Sequence, residues 1–183
     1  MALDVDQHEP SPLPRANIVF YYDFASPESY LALERLAKTI AAFAPELVPV
    51  RADELDPLPQ PDPDARMAAI EAVAHADDSD VLPVVWPADF PDLRTDDAIT
   101  VATYAKSIGK VAVFSLSLFR QIYAAGNDPA DRSTLYLAAA ASEIHPRAVD
   151  QALTRERVSA DADTATEAAR AAGVTSVPAL RIG

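Results

Sequence analysis

The chain has 183 residues, half of them hydrophobic, with a formal net charge of −13 and no cysteine. That length holds one domain, or one domain with a sizeable insertion, and the acidic balance argues against nucleic acid and anionic membrane surfaces as partners. The lack of cysteine excludes disulfides, thiolate metal sites and any dithiol redox couple in this chain.

The opening Met1-Ala2-Leu3-Asp4-Val5-Asp6 has neither a basic n-region nor an apolar h-region. No secretory signal is read there, and a cytoplasmic location is the expectation. Residues 1–16 carry Pro10, Pro12 and Pro14 among polar residues and read as a mobile lead. Asn17 to Phe24 is an apolar, aromatic-rich run that suits a buried strand. Ser26 can cap the helix that follows, with Pro27 at its first position. Tyr30, Leu31, Leu33, Leu36, Ile40 and Phe43 then recur at helical spacing to about Ala44, and Pro45 ends the helix. Glu46 to Arg51 leans towards β. This β-α-β start implies a parallel pair.

Residues 52–64 are rich in proline and aspartate and read as a loop. Helical pattern resumes over Ala65 to Ala76, followed by a proline-broken segment from Leu82 to Pro91. Asp96 to Ile108 and Val111 to Ala125 read as two helices, split by Gly109 and stopped by Gly126. Asp131 to Glu143 and Pro146 to about Arg157 continue the helical run. Asp161 is read as the cap of a last helix reaching Ala172, closed by Gly173. Val177 to Ile182 reads as a final strand. No internal repeat is found. The whole is an α/β chain: a discontinuous α/β unit over residues 17–60 and 159–183, with a helical insertion over residues 61–158.

The stretch from Val19 to Ala32, with its Asp23-Phe24-Ala25-Ser26-Pro27-Glu28-Ser29-Tyr30-Leu31 core, resembles the opening of the DsbA-like thioredoxin superfamily. It is most similar to the branch of 2-hydroxychromene-2-carboxylate isomerases and kappa-class glutathione transferases. Ala172 to Ala179, around Val177-Pro178, resembles that branch's loop before the cis-proline. The resemblance covers roughly Asn17 to Gly183 and implies a thioredoxin-like fold with an inserted α-helical domain.

It further implies that Ser26 hydrogen-bonds the sulfur of bound glutathione, or of another low-molecular-weight thiol, with Pro27 beside it. Val177, next to Pro178, would pair through its backbone with the thiol's peptide portion. An aromatic or conjugated organic substrate would lie between the two domains, and a homodimer is common in similar proteins. Two departures stand out. Relatives continue past the last strand with a further strand and a closing helix that help hold the γ-glutamyl end, whereas the sequence stops at Gly183. That leaves an incomplete chain or a degraded site as alternatives. The second departure is Glu28, where many relatives carry an aromatic residue.

The residues themselves carry a chemical argument. A helix N-terminus presents unpaired N–H groups and a partial positive charge, which favour a thiolate. Ser26 would donate to that sulfur without being consumed, so the nucleophile is borrowed from the cofactor. Beside this stands the plainer reading of Ser26 as an ordinary N-cap. Glu28 suits the helix dipole, and it would repel an anionic ligand close by.

Tyr22 reads as core, and Asp23 as a group that orients the turn or a supporting acid. Trp86, Phe90, Phe114, Phe119 and Tyr123 read as core or as the wall of a cleft. Asp77-Asp78-Ser79-Asp80 near His75 lacks the ligand spacing of a calcium loop and reads as a solvated acidic loop. His8, His75 and His145 join no H-E-x-x-H or G-x-S-x-G motif, so serine-hydrolase chemistry and a metal site are not expected. Two functions follow: a thiol-dependent isomerase or transferase using Ser26, or a catalytically silent thioredoxin-fold adaptor that binds protein.

Overall fold

The computed structural model describes residues 17–39, 45–55, 61–76 and 81–183. The lead read over residues 1–16, the end of the first helix over 40–44 and the acidic loop at 77–80 lie outside the described residues. Among those described, three strands form one mixed sheet flanked by seven α-helices. The order along the chain is β1 (Ile18–Tyr22), α1 (Pro27–Thr39), β2 (Glu46–Pro49), α2 (Pro63–Ala74), α3 (Asp96–Ser107), α4 (Val111–Tyr123), α5 (Arg132–Ala141), α6 (Pro146–Thr154), α7 (Glu156–Ala171) and β3 (Ala179–Ile182).

β1 occupies the centre, as its continuous apolar run requires. It pairs parallel with β2, Val19 facing Glu46 and Tyr22 facing Pro49. It pairs antiparallel with β3, Ile18 facing Ile182 and Tyr21 facing Ala179. Alternation along β1 then sorts the two cores. Phe20 and Tyr22 point to the side of α1 and α4, where they join Phe24, Tyr30, Phe114, Leu118 and Phe119. Val19 and Tyr21 point to the other side, where they meet Val48, Val50, Val174 and Ala169 of α7. The larger core also takes in Ile99 of α3, Leu135 of α5 and Val149 of α6, so it runs unbroken from the sheet into the helical block.

α4 shows how the sequence builds this. Its buried positions are Phe114, Ser115, Leu118, Phe119, Ile122 and Tyr123, the stripe expected of a helix with one face in a core. Each fully buried aromatic contributes about 1.5–3 kcal/mol relative to exposure. Arg51, just past β2, is 7% exposed. It pairs with Asp96 of α3 at 3.3 Å and with Asp163 of α7, tying three elements together.

The structure corrects several boundaries. β2 ends at Pro49 rather than Arg51, and β3 begins at Ala179 rather than Val177. α2 begins at Pro63 rather than Ala65, because Asp62 takes the cap position and accepts from Ala65 N. Asp161 is not the cap of the last helix. Arg155 adopts extended backbone (φ −91°, ψ 105°), which breaks α6 from α7 within one residue, and α7 starts at Glu156. Asp161 therefore lies inside α7, 4.0 Å from Arg157 one turn earlier. Gly173 closes α7 at φ 85°, as read. Among the described residues no helix is long and apolar enough to cross a membrane.

Candidate functional site

The turn out of β1 is organised by Asp23, which is 2% exposed. Its Oδ1 accepts from Ala25 N at 2.9 Å and from Thr95 Oγ1 at 2.8 Å. Its Oδ2 accepts from Ala52 N at 2.7 Å. One carboxylate thus fixes the turn, the start of α3 and the chain after β2. Burial pushes the Asp23 carboxyl up, although all three hydrogen bonds favour its charged form.

The turn delivers Ser26 to the N-cap of α1. Its Oγ accepts from Ser29 N at 3.1 Å, and Pro27 follows at the first helical position. Ser26 is 5% exposed, and its hydroxyl donates to Glu28 Oε2 at 3.0 Å. Glu28 in turn receives Arg66 of α2 bidentately, Nε to Oε1 at 2.7 Å and Nη2 to Oε2 at 2.5 Å. Burial pushes the Glu28 carboxyl up, but the hydrogen bonds from Arg66 and Ser26 and the guanidinium charge outweigh it and hold the group below its ordinary value. Its own hydrogen bonds to Glu28 raise the Arg66 guanidinium.

The guanidinium also lies over Phe90, 5.7 Å from the ring centre. Phe90 packs on Trp86 at 4.6 Å, and Trp86 Nε1 donates to Glu71 Oε1 of α2 at 2.6 Å. Val85 N donates to Tyr123 O at 2.8 Å, which seats this segment on the end of α4. Tyr123, fully buried, donates its hydroxyl to Phe24 O at 2.9 Å. Burial is the main cause of its raised pKa, with the charge of Asp23 adding to it.

The four site residues predicted from the sequence fall at one end of the sheet. β3 runs antiparallel to β1 and begins at Ala179, opposite Tyr21, so Val177 and Pro178 precede it at the end of the sheet where β1 leads on to Ser26. The Val177–Pro178 peptide is cis, as the resemblance implies. Among the described residues none hydrogen-bonds the backbone of Val177, and its side chain packs on the smaller core. Ser26 and Pro27 are buried, while Val177 and Pro178 are partly exposed.

Of the aromatic residues read as core or cleft, Phe114, Phe119 and Tyr123 are core, and Trp86 and Phe90 are partly exposed beside Arg66. Tyr22 is core, with its hydroxyl 2.6 Å from Ser115 Oγ. Among the described residues no group of acids and histidines is placed to hold a metal. An apolar cavity of about 780 Å³ lies between α1, β2 and α4, lined by Leu33, Leu36, Leu47, Leu116 and Arg120 among others, and none of the predicted site residues lines it.

Arg66 and Glu71 were not legible as site residues. Arg66 stands 38 positions from Glu28, in a helix whose sequence shows only ordinary surface charge. The one available signal was Glu28 itself, a partly buried carboxylate in want of a cation.

A DSBA-like thioredoxin domain model matches residues 17–183, so the chain belongs to that family. No curated protein matches. Among solved structures, a 2-hydroxychromene-2-carboxylate isomerase is similar at TM-score 0.79 and 21% identity, covering 91% of this chain and 85% of its own. A probable DsbA oxidoreductase from Streptomyces coelicolor follows at TM-score 0.67 and 19% identity, covering 91% and 80%. A variant of DsbA from Pseudomonas aeruginosa gives TM-score 0.55 and 13% identity, covering 95% and 76%. At these identities the likeness is one of fold.

Proposed function

We propose that this DSBA-like thioredoxin-fold protein is a thiol-dependent isomerase or transferase acting on an aromatic or conjugated small molecule. Glutathione or another low-molecular-weight thiol is the cofactor, and Ser26 activates its sulfur. One observation carries the reading. Ser26 caps α1 just after β1, and Val177, whose backbone is unpaired among the described residues, lies just before β3 at the same end of the sheet.

That arrangement suits a peptide-like thiol laid along Val177 as an added strand, with its sulfur at the helix terminus. The helix N-terminus and a hydroxyl donor favour the thiolate. The thiolate adds to the substrate's conjugated system, the sulfur–carbon bond forming as an electron pair moves into the conjugated acceptor. Rotation about the bond that has become single follows. In an isomerase the sulfur then leaves and the double bond returns, whereas in a transferase it stays attached. Trp86 and Phe90, partly exposed and tilted against each other beside Arg66, offer an aromatic surface for such a substrate. A cytoplasmic homodimer belongs to the same reading. Cysteine-free as it is, the chain cannot cycle a dithiol by itself.

A catalytically silent, protein-binding adaptor is the second reading. It is favoured by the commitment of the Ser26 hydroxyl to Glu28 and by the 5% exposure of Ser26.

Calorimetric titration of glutathione and other small thiols into the wild type and Ser26→Ala separates the two. Binding that weakens in the variant supports the enzyme and directs a screen of conjugated substrates. Absence of binding by the wild type removes the thiol reading and leaves the adaptor.

A further inference from the structure

Ser26 has a single proton to give, and Glu28 Oε2 receives it. Ser29 N–H already occupies one lone pair of the Ser26 Oγ. In that arrangement Ser26 offers a ligand only an acceptor lone pair, while a thiolate needs a donor. The hydroxyl must therefore turn from Glu28 to the sulfur. When it does, Glu28 keeps both guanidinium bonds, Nε to Oε1 and Nη2 to Oε2. The turn exchanges one hydrogen bond and leaves no partly buried carboxylate unsatisfied. Without the guanidinium, Glu28 would retain Ser26 as its side-chain donor and stand as an unpaired negative charge beside the thiolate.

The guanidinium is itself preset. Its side chain is 16% exposed, it lies over Phe90, and Phe90 is braced by Trp86, which α2 holds through Glu71.

We propose that Arg66, carried on the helical block, is a positioning residue for the sulfur site: it holds Glu28 so that the Ser26 hydroxyl is free to turn to a bound thiol. The inference rests on the thiol reading above. The thiol gives its proton to solvent, Ser26 keeps its own, and Arg66 never meets the sulfur.

The test is titration of glutathione into the full chain as wild type, Arg66→Ala, Arg66→Lys, Glu28→Gln and the Arg66→Ala/Glu28→Gln pair. Affinity is read by calorimetry, the bound thiolate by its ultraviolet absorbance, and folding by circular dichroism. Arg66→Ala weakens binding by about tenfold, equivalent to one unit of thiol pKa, and the thiolate absorbance drops. Arg66→Lys, which keeps the charge but not the fork, recovers part of it. Adding Glu28→Gln to Arg66→Ala restores affinity and absorbance to the level of Glu28→Gln alone, because the charge that Arg66 restrained is gone. A purely structural Arg66 would give no such recovery.

Wild-type binding unchanged in Arg66→Ala, or a loss that Glu28→Gln fails to repair in folded protein, overturns the role of Arg66 and leaves the thiol reading standing. Absence of binding in the wild type and in every variant overturns both. Should Arg66→Ala fail to fold, the lysine variant and the double variant carry the same comparison.

Discussion

Glu34 of α1 lies 2% exposed in the interior, and Arg120 of α4 reaches it from 86 positions away, Nε to Oε1 at 2.6 Å and Nη2 to Oε2 at 2.9 Å. The fork satisfies both carboxylate oxygens, which is what permits a charge at that depth. The pair closes the first helix of the α/β unit onto the helical block. Removing one partner strands the other, so Arg120→Met should lower the unfolding free energy by about 3 kcal/mol in urea titrations. Glu34→Gln added to that variant should recover part of the loss, since a neutral amide is less costly to bury. An Arg120→Met midpoint equal to the wild type would refute the assignment.

Ser26→Ala removes the acceptor for Ser29 N–H and the donor to Glu28. Loss of an N-cap costs about 1 kcal/mol. The thermal midpoint should fall by a few degrees while the circular dichroism spectrum stays native. Thiol titrations of this variant are then meaningful well below its midpoint. A variant as stable as the wild type would show that Ser26 is not the cap of α1.

Glu28 links site geometry to acid stability. Its folded pKa is below the ordinary value, so the folded state favours the carboxylate. The resulting stabilisation is fully present above the unfolded glutamate value and is lost as the pH falls through the lower folded value. Glu28→Gln lacks this contribution at every pH. The stability gap between wild type and Glu28→Gln should therefore narrow on acidification from neutral pH through the carboxylate range. Denaturant unfolding at a series of pH values measures it, and a gap that widens in acid would reverse the sign argued here.

Gly126 has φ 72°, and a Cβ there would meet Val85 Cγ1 at 2.9 Å and Trp86 O at 3.4 Å. Gly126→Ala therefore combines left-handed backbone with a steric push on the segment that carries Trp86. The strain alone costs about 1–3 kcal/mol. Trp86 is the sole tryptophan, so its emission reports the displacement directly. Native stability with unchanged emission would mean that the segment from Val85 to Phe90 yields freely.

What could be read from the sequence is what depends on near neighbours. The β1 run, the Ser26-Pro27 helix start, the stripe of α4 and the glycine stop of α7 are each set by groups within about one or two helical turns. The end motifs also carried the family and the mixed α/β class. The sequence pattern puts the break between α6 and α7 a few residues late, between Arg157 and Asp161 rather than at Arg155, because no glycine or proline marks it.

The chemistry around Ser26 was decided by the tertiary fold. Arg66 meets Glu28 across 38 positions, Thr95 meets Asp23 across 72, and Tyr22 meets Ser115 across 93. Charge pairing and buried hydrogen bonding fall off within a few ångströms. Which of the chain's many acids and bases meet is thus fixed by how helices seat on the sheet, a property of the packed core as a whole. The sequence by itself determined where a hydroxyl would cap a helix at the end of the central strand. Only the packed structure determined that a carboxylate would hold that hydroxyl and a guanidinium would hold the carboxylate.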